Sequence, residues 1–436
     1  MTKYIKSVEA LPSNLHLWET IHTQTGIAET KTIDIFPTTS IEVSDTLTFI
    51  IPAMSKLMLQ NVQIVSEIRV LTTQDAAPPA NHPVSTAPHL AAALYRNVEI
   101  TAGSTSLVQS FDNAYAMTKF WETTLNTRSG CHPHLHSKEG YWIDTVHTKA
   151  ASQAVDYFPT EADTKATNGG GLDRAKNIAQ GKKVCLVSDL DASLFKQDKL
   201  LPSELEIQVS LTKNYSEFIL LSADNHTDKV KFDKVVLRCT YQRPQDHVLN
   251  VIEQKLAKQN AIYHTDKSVL SFHSIPEGAV DLTVSSIFGS TLPHTFLVGI
   301  QDRKSFGKTR SLNPFTLHPM KSFQVYVDGN EHFPRAVERI GDNDYTYFWE
   351  AFLNQSGYVN EGDNLLEHYY SAYCAMIVDL TADRSQNQKA LNLQKSGTVR
   401  LQIEFPEACP ADRVLMILAW YDEVIEITKD RQILIV

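Results

Sequence analysis

A Gly-Lys-Thr sequence at 307–309 follows the apolar run 296–300 and is the first candidate for chemistry, because the same residues end phosphate-binding loops. Such a loop also needs a glycine five positions before Gly307 and a helix that points its N-terminus at the phosphates. That earlier position is Asp302, whose carboxylate repels phosphate, and Pro314 interrupts any helix that follows. The segment therefore predicts a loop between strands, not a nucleotide site.

The same loop carries four basic side chains. They are Arg303, Lys304, Lys308 and Arg310. A solvated loop is the simpler interpretation, and a contact with an acidic surface of another molecule is the functional one.

Three alternating histidines in "CHPHLH" are the second candidate: His132, His134 and His136. On a strand they would share one face, as pairs of histidine ligands do in metal sites, with His147 or a carboxylate completing the set. The surrounding stretch predicts no regular strand, so a polar loop is the simpler interpretation. No catalytic motif of hydrolases, metalloproteases or dinucleotide enzymes is present, and we expect neither a cofactor nor catalysis.

Bulk composition restricts the class of protein further. The chain has 436 residues, 42% of them hydrophobic and 21% charged, and a net charge of −10, which is typical of a globular protein without a nucleic-acid footprint. The longest apolar run, 414–421, is far shorter than the ~18 residues needed to span a membrane. Five scattered cysteines indicate a reducing compartment, and the N-terminus lacks a signal peptide, so we expect synthesis inside a cell without secretion.

Short runs rich in Val, Ile, Phe and Tyr occur along the whole chain, whereas helical patterns are confined to about 112–126, 246–260 and 343–354. Alternating runs of this kind predict strands with one buried face. The sequence therefore predicts an all-β protein built from antiparallel sandwiches with a few short helices.

An internal repeat divides the chain. "FWETTLNTRSG" at 120–130 matches "FWEAFLNQSG" at 348–357, and each copy follows a strand that ends in a glycine turn. Two later strand pairs match in the same order, "LEIQVSL" with "VRLQIEF" and "KVVLRCTY" with "VLMILAWY". We therefore predict two tandem copies of one sandwich.

The repeat also sets the predicted boundaries: an N-terminal arm at 1–34, a first sandwich at 35–241, a linker with a short helix at 242–262 and a second sandwich at 263–436. The first copy is longer, and the excess falls in 131–186, which we interpret as a long surface loop because it contains "TNGGG". The repeated helices are predicted to cover an open end of each sandwich, through Phe120, Trp121 and Glu122 in one copy and Phe348, Trp349 and Glu350 in the other.

The second half of the chain resembles a known family, the double jelly-roll major capsid proteins of polintons and adintoviruses. The matching segments are "LPHTFLVGIQDRKSFGKTRSLNPFTL", "VYVDG", "DLT" near 379–381 and the C-terminal "DEVIEI". Within the first segment, Asn313, Pro314 and Phe315 end the polar loop, and "IDIFPTTSIE" at 33–42 resembles the opening strand of the family.

The resemblance implies two eight-stranded jelly rolls side by side in a hexon-like chain. Three copies would form a homotrimer, a pseudo-hexagonal capsomer that tiles the icosahedral capsid of a DNA virus or virus-like element. Its implied partners are further copies of the chain, penton proteins and minor capsid proteins, and its implied location is the virion. Two alternatives stay open: a minor or vertex capsid protein of the same fold, and a carbohydrate-active or metal-dependent enzyme of two sandwiches.

Overall fold

The computed structural model describes residues 23–110, 113–126, 137–144, 168–222, 227–306, 313–340, 345–356, 373–384 and 391–435. Strands dominate these ranges and form antiparallel sheets. Their side chains alternate between buried and exposed positions, as in Thr46–Ile51, because each sheet buries one face against its partner sheet.

The first half of the chain carries strands β1 to β10. In chain order they are Ile27–Ile35, Thr46–Ile51, Met58–Leu71, Val84–Thr86, Tyr95–Ala102, Thr105–Gln109, Val184–Asp189, Ile207–Lys213, Leu220–Ser222 and Lys229–Pro244. One sheet has the order β1-β10-β3-β7 and the other β2-β8-β5-β6, while β4 and β9 form a separate pair.

The second half carries strands β11 to β20. In chain order they are Ala261–Ser274, Asp281–Val284, Thr295–Asp302, Ser322–Val327, Asn330–Glu331, Val337–Glu338, Met376–Asp379, Val399–Glu404, Arg413–Ile427 and Ile433–Ile435. The orders β11-β19-β13-β17 and β12-β18-β14-β15 reproduce those of the first half strand for strand, with β16 and β20 added beside β14 and β19. The predicted all-β class of two jelly rolls is therefore confirmed.

Seven α-helices connect the strands of the described ranges. In chain order α1 to α7 are Leu90–Ala93, Ala114–Asn126, Gly169–Ile178, Ser193–Lys196, Ser216–Ile219, Asp246–Leu256 and Thr346–Ser356. The three helices predicted from sequence correspond to α2, α6 and α7. None of the helices in the described ranges combines the length and the apolar character that crossing a membrane requires.

Two predicted boundaries differ from the structure. Residues 27–34, assigned to the arm, lie in β1 and pair with β10 at the edge of a sheet. Within 131–186, predicted as a surface loop, the described part contains α3 and the start of β7, and the side chains of Asn168 and Arg174 are buried. The glycine run was misleading because a Cβ on Gly170 would lie 1.9 Å from the Ile143 carbonyl oxygen, so this glycine permits close packing.

Candidate functional site

The two jelly rolls share their hydrophobic cores. Side chains of α2, which belongs to the first jelly roll, lie in the core cluster of the second. Conversely, Tyr263, Ile425, Ile427 and Ile433 of the second jelly roll lie in the core cluster of the first. We call this contact zone, centred on α2, the seam.

The aromatic part of the seam is built on one face of α2. Ala116, Met117, Phe120 and Trp121 follow helical spacing and are fully buried. Phe120 stacks on Phe315 of the second jelly roll, with ring centroids 4.2 Å apart and planes 15° apart. The two motifs "FWE" and "NPF", far apart in sequence, therefore meet at the seam.

A buried polar cluster lies beside these rings. Asn313 donates from Nδ2 to Oδ2 of Asp144 over 2.7 Å, and Asn168 donates to the other carboxylate oxygen over 2.8 Å. The guanidinium of Arg174 also pairs with Asp144, and both side chains are almost inaccessible to solvent. Since buried charges are costly without partners, this cluster holds the Asp144 segment in one position against the second jelly roll.

Glu122 makes the third link across the seam. Its carboxylate accepts a hydrogen bond from Nε1 of Trp420 on β19, over 2.9 Å, and also pairs with the Lys196 ammonium, which in turn contacts Asp191. Burial, together with the negative charge of Asp191, raises the pKa of Glu122. Although burial alone would raise the pKa of Asp191, Lys196 and Lys119 outweigh it and lower that pKa.

The second repeated helix, α7, has a different environment. Phe348 and Phe352 are fully buried against the second jelly roll, and Trp349 stacks on Phe352 with centroids 5.5 Å apart. Trp349 is only partly buried, Glu350 is exposed, and Tyr347 is 37% exposed. The outer side of α7 thus faces away from its own jelly roll, whereas the outer side of α2 is enclosed by its neighbour.

The helix α7 is tethered at its C-terminal end. Gln355 accepts at Oε1 from the backbone N–H of Asp379 and contacts His332 Nε2, both over 3.0 Å. Burial lowers the pKa of His332, against a smaller opposing effect of the Gln355 hydrogen bond. The neutral imidazole is therefore the form that suits this position.

The basic loop is only partly described. Arg303 and Lys304 are exposed, and Nζ of Lys304 lies 3.0 Å from Oδ2 of Asp412 in the same jelly roll. Lys308 and Arg310 lie outside the described residues, as do His132, His134 and His136.

Sequence reasoning did not identify Asp144, Tyr373 or Trp420 as seam residues. Tyr373 is fully buried, and its ring lies 5.9 Å from Phe120 and 6.3 Å from Trp121, while its pKa is raised by burial. None of these residues belongs to the repeated motif. Covariation of Glu122 with Trp420, and of Asn313 with Asp144, would be the signal able to reveal such contacts.

No family model and no curated protein matches the chain, whereas several solved structures are similar to it. A chain of the cryo-EM structure of the Sputnik virophage is similar, with a TM-score of 0.68 and 10% identity over 99% of this chain and 93% of that one. The chain has a double jelly-roll fold.

Two further structures agree. The crystal structure of the mavirus major capsid protein matches with a TM-score of 0.56 and 11% identity, covering 100% of this chain and 96% of the other. The Faustovirus major capsid protein matches with a TM-score of 0.56 and 8% identity, covering 95% and 93%. At identities this low, the structural likeness shows the shared fold alone.

Proposed function

We propose that the protein is a major capsid protein whose homotrimers form pseudo-hexagonal capsomers of an icosahedral DNA virus or virus-like element. The observation that carries this proposal is the unequal use of the repeat. One "FWE" helix, α2, is buried against a second jelly roll, whereas in its equivalent, α7, Trp349 is only partly buried and Glu350 is exposed.

The repeat suggests what the outer side of α7 meets. In a ring of alternating first and second jelly rolls, α2 contacts the second jelly roll of its own chain. The equivalent neighbour of α7 is then the first jelly roll of another copy. Three chains contribute six sandwiches. A closed threefold ring therefore gives the outer side of every α7 a neighbouring first jelly roll and leaves no open end.

Solved structures support the same role. Two proteins that share the fold over nearly the whole chain, from mavirus and Faustovirus, are named major capsid proteins. The sequence resemblance to polinton and adintovirus capsid proteins points in the same direction. The role is structural and located in the virion, with penton and minor capsid proteins as further partners and no catalytic step.

Light scattering after size-exclusion chromatography tests the proposal. We expect a particle with three times the chain mass, and threefold, pseudo-hexagonal images in electron microscopy. A chain that stays monomeric at high concentration contradicts the proposal. In purified particles the protein must also dominate by mass, since a low copy number would instead identify a minor or vertex protein.

A further inference from the structure

Two carboxylates face each other at the edge of the seam. Asp266 on β11 is paired directly with Asp422 on β19 in antiparallel register, so both side chains project from the same face of the sheet. Like charges directly opposite each other destabilise a sheet.

In the described part of the chain, no lysine or arginine forms an ion pair with either carboxylate. The Lys196 ammonium, which influences Asp266 from a distance, contacts Glu122 and Asp191 instead. Lys267, next to Asp266, pairs with Glu423. Asp422 accepts at Oδ2 a hydrogen bond from the backbone N–H of Asn392 over 3.1 Å, but no lysine or arginine of the described ranges balances the two charges by an ion pair.

An imidazole completes the arrangement. One donor atom from each of Asp266, His294 and Asp422 lies within 4.8 Å of the other two. The backbone of His294 is fixed from both sides, since its N–H donates to the Trp420 carbonyl over 3.0 Å and its carbonyl accepts from Leu380 over 2.8 Å. The three side chains therefore come from three segments held in a defined geometry.

The hydrogen bonds of the His294 ring indicate a ligand independently of the carboxylates. Nδ1 lies 3.0 Å from the Thr295 hydroxyl, while Nε2 is inaccessible to solvent and has no hydrogen-bond partner among the described residues. A buried ring nitrogen without a partner is costly. Coordination through Nε2 would satisfy it and leave Nδ1–H for the Thr295 oxygen, the second-shell pattern common to metal-bound histidines.

We propose that Asp266, His294 and Asp422 form a divalent transition-metal site, with Zn²⁺ the preferred ion. Mixed imidazole and carboxylate donors suit Zn²⁺, whereas Ca²⁺ and Mg²⁺ favour sites made of oxygen alone. Tetrahedral Zn²⁺ keeps its ligand atoms about 3.4 Å apart, for bonds of about 2.0–2.2 Å. The three ligand atoms would therefore move closer together on binding, and the exposed Asp266 side chain is the least enclosed of the three.

The ion would have a structural effect. It would link β11, β19 and the segment that enters β13, and it would neutralise the paired carboxylates next to the Glu122–Trp420 contact. Three protein ligands leave one coordination position for water. The bound ion would therefore connect three segments and remain accessible to solvent.

Calorimetric titration of the chelator-treated full chain with ZnCl₂ tests the proposal. We expect one equivalent of Zn²⁺ to bind the wild type, and Asp266→Asn and Asp422→Asn each to weaken that binding by about tenfold or more. The matched control is Asp302→Asn. The Asp302 carboxylate also lies close to an imidazole, 2.6 Å from Nε2 of His318, but it is paired with Arg413. This control is expected to bind Zn²⁺ as the wild type does.

The melting temperature provides a second test, because Asp266→Asn is expected to change stability in opposite directions without and with Zn²⁺. In chelator, Asp266→Asn is expected to melt at or above the wild-type temperature, because one of two opposed charges is gone. In saturating Zn²⁺ the wild type is expected to gain stability and the variant none. Absence of saturable binding overturns the proposal, as does Zn²⁺ binding that Asp266→Asn leaves unchanged but that is lost when His132, His134 and His136 are all replaced by alanine.

Discussion

The two "FWE" helices have nearly the same sequence and opposite surroundings. In α2, Trp121 is fully buried and Glu122 bonds to Trp420 of the other jelly roll. In α7, Trp349 is partly buried and Glu350 is exposed. Phe348 of α7 is buried in its own jelly roll, but the outward side chains of the motif are not enclosed by the described residues. In the proposed capsomer, a first jelly roll of another copy would enclose them.

The two helices are therefore expected to contribute to two different stabilities, that of the folded chain and that of the assembled trimer. Contacts of α2 hold one chain together, because they join its two cores. The outer contacts of α7, in the proposed capsomer, hold different chains together and depend on protein concentration. Matched substitutions in the two helices should therefore produce different kinds of defect.

The largest contrast is expected for tryptophan. Trp121→Ala should lower the free energy of unfolding of the chain by about 3–5 kcal/mol, the usual cost of removing a fully buried large aromatic side chain. Trp349→Ala should cost less than half as much in the dissociated chain but should reduce the fraction of trimer. Urea denaturation at low concentration and light scattering at high concentration measure the two effects, and equal unfolding losses in the two variants would refute the distinction.

A smaller contrast is expected for glutamate. Glu122→Ala should lower the free energy of unfolding by about 1.5–3 kcal/mol, because it leaves the indole N–H of Trp420 without its acceptor and removes one partner of the Lys196 ammonium. Glu350→Ala, at an exposed position, should stay within about 0.5 kcal/mol in the dissociated chain. Urea denaturation compares the two variants, and a Glu350→Ala loss as large as that of Glu122→Ala would show that α7 is already enclosed within one chain.

The smallest expected effect is a pH dependence confined to α7. The folded-state pKa of His332 lies below its ordinary value of 6.5, so its unfolded form binds the proton more readily. Stability from this site is fully present above about pH 6.5 and is lost as the pH falls through the lower folded-state pKa.

Hydrogen exchange at pH 7.5 and pH 5.5 checks this dependence. We expect the α7 amides to lose protection at the lower pH more than the α2 amides do. His332→Gln should remove that difference while keeping a donor for Gln355. An equal loss of protection in α2 and α7 would contradict the assignment to His332.

Much of the fold was predictable because its signals are local. Alternating apolar residues marked strands such as β8 and β18, and the repeated "FWE" marked α2 and α7 at equivalent positions. The position of α3 was not predictable, because three consecutive glycines indicate flexibility in sequence whereas here Gly170 lets two backbones approach closely.

The contacts of the seam were predictable only as separate parts. Phe120 and Phe315 were each expected to be structural, but their stacking depends on how two distant segments meet. Asp266 and Asp422 come together through strand register, and His294 through the turn that enters β13, and no local spacing encodes either. Long-range pairing of this kind follows from the fold and not from a motif.

Cryo-electron microscopy of the assembled protein tests the central claim most directly. We predict threefold particles in which the outer side of α7, with Trp349 and Glu350, is buried against the first jelly roll of the next copy, as α2 is buried against the second jelly roll of its own. A threefold particle with α7 exposed to solvent, or a protein that forms no such particle, would contradict the account.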